Sequence, residues 1–70
     1  MATYVVALRR GIQPHRMTPE EQVRKVAGVR VTGSSNPRRI VVEGSPQAAD
    51  EIVRRFGDNL VVEPLVMHYN

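Results

Sequence analysis

The chain contains no cysteine, and neither of its two histidines, His15 and His68, has a second histidine at helical spacing. No disulfide can staple the fold and no thiolate metal site can form, which removes copper-chaperone and ferredoxin chemistry. A zinc site is not expected, nor is any other metal or cofactor. Long hydrophobic runs are missing too. The opening stretch "MATYVVALRR" lacks a basic region followed by an extended apolar segment, so no signal peptide is visible and nothing reaches membrane-spanning length. The expected address is cytoplasmic, or secreted if the chain has been trimmed.

Catalytic constellations are equally sparse. There is no nucleophile elbow, no glycine-rich phosphate loop and no metal-binding histidine pair. Ser34, Ser35 and Ser45 read as turn and cap residues, and Glu20 and Glu21 as helix-start residues whose charge suits the helix dipole. The segment "RRGIQPHRM" lacks the glycines that an acylphosphatase-type loop would place after a first strand. No catalytic residue is expected, and the protein is not expected to be an enzyme.

What is present is one small domain of 70 residues, marginal for a core without staples. The formal charge is +3, and nine of the ten basic residues are arginine, with pairs at Arg9-Arg10, Arg38-Arg39 and Arg54-Arg55. Such a balance permits nucleic acid or an acidic partner, although paired surface arginines are also simply solvated charge.

Along the chain, "TYVVALRR" is β-branched and apolar and predicts a strand near 3–9. "MTPEEQVRKVAG" predicts a helix near 19–27: Thr18 as N-cap, Pro19 first, Glu21 completing a capping box, and Gly28 as a left-handed stop. "VRVTG" and "RRIVVEG" predict strands near 29–34 and 39–43, joined as a hairpin by the turn-forming cluster "SSNP". "SPQAADEIVRRFG" repeats the helix grammar over 46–56, with Ser45 as cap and Gly57 as stop; Ala49, Ile52, Val53 and Phe56 share one face. A last strand near 60–63 follows. The order β-α-β-β-α-β is the ferredoxin-like split arrangement, an α+β fold with a four-stranded antiparallel sheet and two helices on one face. Residues 1–64 are expected to form this domain and 65–70 an extended C-terminal tail.

Two helices cover one face of such a sheet. If Tyr4, Val6 and Leu8 face them, Val5 and Ala7 face away, and in the last strand Val61 and Glu63 do likewise. These strands do not alternate cleanly between apolar and polar, as a half-solvated strand should. Either valine is there for β-propensity alone, or a partner covers the face. The tail raises the same question. Pro64 cannot donate to a ladder, so pairing is expected to weaken there. Beyond it Leu65, Val66, Met67 and Tyr69 are apolar or aromatic, suited either to an edge strand packing its own end or to addition onto another protein's sheet edge. An RNA-binding sheet would need stacking aromatics on its central strands, and only Tyr4 is available there.

"YVVALRR" at the start, "RIVVEGSPQAADEIVRRFGDNLVVEP" near the end, and an extended tail after an acidic residue resemble the propeptides of subtilisin-like serine proteases and their free-standing inhibitor relatives. The resemblance spans nearly the whole chain and is strongest from Ile40 to Pro64. It implies a protein inhibitor, or an intramolecular-chaperone-like partner, of a subtilisin-type serine protease. The open sheet face would pack on two surface helices of the protease, and Glu63 would cap their N-termini. Leu65 to Asn70 would lie in the substrate cleft as a product-like strand, with Met67 in the fourth non-primed subsite, Asn70 in the first, and His68 and Tyr69 between. Where the family often places more than one acidic residue, Pro64 and Leu65 follow Glu63 here. Two other readings remain open from the sequence: a basic, non-enzymatic module that binds RNA or self-assembles through its open face, and a small regulatory ligand-binding domain that dimerises edge to edge.

Overall fold

A computed structural model of the chain describes residues 2–13 and 18–65. The elements run β1 (Ala2–Leu8), α1 (Pro19–Val23), β2 (Val29–Asn36), β3 (Arg39–Gly44), α2 (Pro46–Phe56) and β4 (Leu60–Pro64). All neighbouring strands are antiparallel and the sheet order is β2-β3-β1-β4. This is the split β-α-β arrangement expected from the sequence, with β1 and β3 inside and β2 and β4 at the edges.

The central strand sets the register. Val6 lies between Ile40 and Val62, Val5 between Val41 and Glu63, and Ala7 between Arg39 and Val61. Successive side chains alternate across the sheet, so Val6 and Leu8 join Ile40, Val42 and Leu60 on the covered side. There they meet Val23, Val26 and Ile52 in a single buried cluster, flanked by Tyr4, Ile12, Val29, Val31, Phe56 and Val62.

Both helices begin as their sequences dictate. Thr18 Oγ1 accepts from the Glu21 N–H at 3.1 Å, and Ser45 Oγ from the Ala48 N–H at 3.1 Å, each followed by a proline in the first turn. These caps satisfy donors that a helix start leaves unpaired. α1 ends at Val23 with Arg24 as its C-cap, so Gly28 is not the helix stop expected of it, although it does adopt the left-handed φ of +83°. It sits where the chain enters β2, against the end of β3. A Cβ on Gly44 would stand 2.9 Å from the Gly28 carbonyl oxygen, so this crossing excludes any side chain at position 44.

Four local expectations change. The first helix is shorter than 19–27: it ends at Val23, and Lys25 and Val26 bond three residues back, to Gln22 and Val23. That tighter turn carries Val26 into the core without another helical turn. Val53 is 51% exposed and leaves the core. The buried stripe of α2 runs through Ala48, Ala49 and Ile52, and Val53 stands ~100° further round the helix from Ile52. Ser34 and Ser35 belong to β2, not to a turn, because two register shifts let β2 run on to Asn36. The hairpin loop is only Pro37-Arg38, held by Asn36 Oδ1 accepting from the Arg38 N–H at 2.8 Å.

Pro64 does not weaken the pairing either. It lies opposite Tyr4, and the next residue, Leu65, donates its N–H to the Thr3 carbonyl at 2.9 Å. Antiparallel pairs alternate between bonded and non-bonded positions. Thr3–Leu65 is a bonded position, so the missing donor of Pro64 points outward, off the edge of the sheet.

At the start of α1, the Arg24 guanidinium lies 2.5 Å from a Glu20 carboxylate oxygen. That contact, with a smaller contribution from Ser34, holds the Glu20 carboxyl below its ordinary value of 4.5. A carboxylate whose pKa falls on folding stabilises the fold above its unfolded value and loses that contribution as pH falls through the folded one. Glu20→Gln should therefore flatten the acid limb of a stability-versus-pH curve below 4.5 and leave the neutral limb's slope unchanged.

Chemical denaturation should separate the two α2 positions. Ile52→Ala should cost roughly 2–5 kcal/mol, and Val53→Ala no more than about 0.5 kcal/mol. Ser45→Ala should cost about 1 kcal/mol through loss of the cap.

Candidate functional site

The sheet face away from the helices is the most distinctive surface among the described residues. Val5 and Ala7 of β1 form its floor, with Val41 on one side and Val61 on the other. Val5, Ala7, Arg39, Val61 and Glu63 together line a shallow depression there. Val5 is only 9% exposed although no helix covers it, since its flanking strands contribute Val41 and Glu63 at the same level. The floor is thus apolar and made of small side chains.

Its borders are charged. Glu43 is 3.8 Å from Arg30 on the neighbouring edge strand, so that pair is matched within the molecule. Arg39 and Glu63 are different: both are exposed, and neither forms an ion pair with a described residue. Arg39 stands level with Ala7 and Glu63 level with Val5, on opposite sides of β1. A cation and an anion therefore sit at diagonal corners of the apolar floor.

Of the site residues expected from the sequence, Glu63 is on this face as foreseen, and Leu65 is 42% exposed where the chain leaves the edge strand. Met67, His68, Tyr69 and Asn70 lie outside the described residues. Arg39 and Val41 were not foreseen as part of the site. Placing the hairpin register would have found them, because Arg39, Val41 and Glu43 alternate onto the same face as Val5.

Most of the arginines are occupied elsewhere. Arg9 Nε donates to the Gly57 carbonyl at 2.6 Å, and Arg55 donates to the Lys25 carbonyl at 3.1 Å with its guanidinium 5.5 Å from the centre of the Phe56 ring. Arg38 bridges two carbonyls, Ile12 at 2.9 Å and Arg9 at 3.3 Å. Arg54 and Arg55 contact Glu51, and Arg24 contacts Glu20. Arg9, Arg38 and Arg55 thus fasten turns and loops to the rest of the domain, which is work for the guanidinium fork. Among the described residues there is no group of three or more potential metal ligands, and no helix is long and apolar enough to cross a membrane.

Comparison with protein-family models, with curated proteins and with solved structures finds no match to this chain.

The Arg38 bridge can be tested directly. Arg38→Ala should speed amide exchange at Ile12 while the β1 and β3 amides keep their protection. Arg38→Lys should restore it only partly, because a single ammonium does not span both carbonyls. Unchanged exchange at Ile12 in the alanine variant would show that the bridge holds nothing.

Proposed function

We propose that the protein inhibits a subtilisin-type serine protease, docking through its open sheet face and placing its C-terminal tail in the substrate cleft. The observation that carries this reading is the position of Glu63. It stands exposed beside an apolar, uncovered floor, two residues before the point where the chain leaves the sheet. A carboxylate there is suited to the unsatisfied N–H groups and positive potential of helix N-termini on a partner. The small side chains of Val5, Ala7, Val41 and Val61 offer a surface on which helices can lie closely.

The tail completes the mechanism. Leu65 is still paired to Thr3, so the main chain enters the tail already extended. An extended segment can add to a sheet edge in the cleft, with main-chain bonds giving affinity and alternate side chains entering subsites. In this reading Met67 fills an apolar subsite and Asn70 occupies the first non-primed position. On the expectation of cytoplasmic residence, the target would be an intracellular protease of this type. An RNA-binding role has less support, because Tyr4 and Phe56 both pack against the core and cannot stack bases on the open face.

Steady-state hydrolysis of a chromogenic peptide by a panel of subtilisin-type proteases checks the proposal. Deleting Leu65–Asn70 should leave a folded domain and abolish inhibition. Glu63→Gln should weaken inhibition modestly by removing the charge-assisted part of the helix contact. Met67→Asp should be severe, since it would bury an unpaired carboxylate. If the truncated protein inhibits as well as the intact one, or the intact one inhibits no protease of the panel, the reading fails.

A further inference from the structure

We infer that the open face is also the interface of a homodimer, in which two copies close face to face with Arg39 of each over Glu63 of the other. The inference does not rest on the inhibitor reading. It rests on how charge is laid out on this face.

The apolar floor is built of small side chains, which suits sheet-on-sheet packing, where two inner faces interdigitate at about 10 Å. At its diagonal corners stand one arginine and one glutamate without partners among the described residues. A two-fold axis lying between two such faces, along the perpendicular bisector of the line from Arg39 to Glu63, exchanges these corners. Each copy then supplies one cation and one anion, and two equivalent ion pairs close over a shared valine layer. That is the self-complementarity an isologous interface requires. Because the axis runs oblique to β1, the strands of the two copies cross steeply, in the orthogonal class of sheet packing. The remaining charges on the face do not oppose this closure, since Glu43 is already matched by Arg30 within each copy.

The edges of the sheet, by contrast, are poor places for a second copy. β4 turns the missing donor of Pro64 outward, and β2 has two register shifts that break its regular ladder. Proline and bulges at edges both discourage strand-to-strand association. Face-to-face closure is therefore favoured over edge-to-edge pairing.

The test is a charge exchange followed by sedimentation velocity over a dilution series of the full chain. The wild type should populate a dimer that dissociates on dilution. Arg39→Glu and Glu63→Arg should each weaken dimerisation by about tenfold or more, since each sets like charges face to face. The double exchange R39E/E63R should restore it. Both side chains are exposed, so circular dichroism and the thermal midpoint should be near those of the wild type in all three variants.

A wild type that is monomeric across the series would overturn the inference. So would a dimer indifferent to both single changes, or a double exchange that fails to recover. Protease inhibition, measured separately with the wild type at dilutions where it is monomeric, keeps the two readings apart. Loss of the dimer interface as an explanation leaves inhibition standing, and failure against every protease leaves the dimer standing.

Discussion

Everything in this molecule depends on β1 lying in the middle of a sheet that helices cover on one side only. A central strand has no spare edge: its main chain is committed to β3 on one side and β4 on the other. Its side chains therefore divide by parity alone. Val6 and Leu8 go into the core with Ile40, Val42 and Leu60, while Val5 and Ala7 are left on the other face with Val41 and Val61. A shift of one residue in register would exchange the two sets and dissolve the core. The same constraint that builds the hydrophobic cluster thus creates an apolar surface that nothing among the described residues covers.

The arginine-rich composition acquires a different meaning once the contacts are known. Arg9, Arg38 and Arg55 reach across long sequence separations to main-chain carbonyls, tying the loop after β1, the hairpin and the turn after α1 to the rest of the domain. A domain of 70 residues has few buried side chains with which to anchor its loops. Charged forks that span from sheet to loop serve that purpose at the surface, where apolar anchors would be exposed. What charge remains unengaged is correspondingly informative, and Arg39 with Glu63 is the pair that flanks the apolar floor.

Element order, both helix caps and the two faces of β1 were legible in the sequence, because each is written locally. Thr18-Pro19 and Ser45-Pro46 announce helix starts, and a run such as "TYVVAL" fixes parity once one residue is placed. The features that were not legible depend on where other elements sit. Val53 belongs to a sound helical pattern, yet two adjacent alanines, Ala48 and Ala49, let α2 roll its stripe away from it. The serines after Gly33 look like turn residues, but register shifts against β3 draw them into the strand. Pro64 looks like a break until the pairing phase shows which way its missing donor points. On the open face Glu63 was visible as an acidic residue at a strand end, whereas Arg39 gains its role only from standing diagonal to it across β1.

The bond from the Leu65 N–H to the Thr3 carbonyl closes the sheet between residues near the two ends of the sequence. Within this domain the first strand is therefore completed by the last. During synthesis β1 keeps an open flank until Leu60–Leu65 has been added, however early its hairpin partner β3 arrives. The most distant pairing in the sheet thus carries a large loop-closure cost, and an interrupted translation product would carry an unpaired central strand, the kind of edge on which chains aggregate.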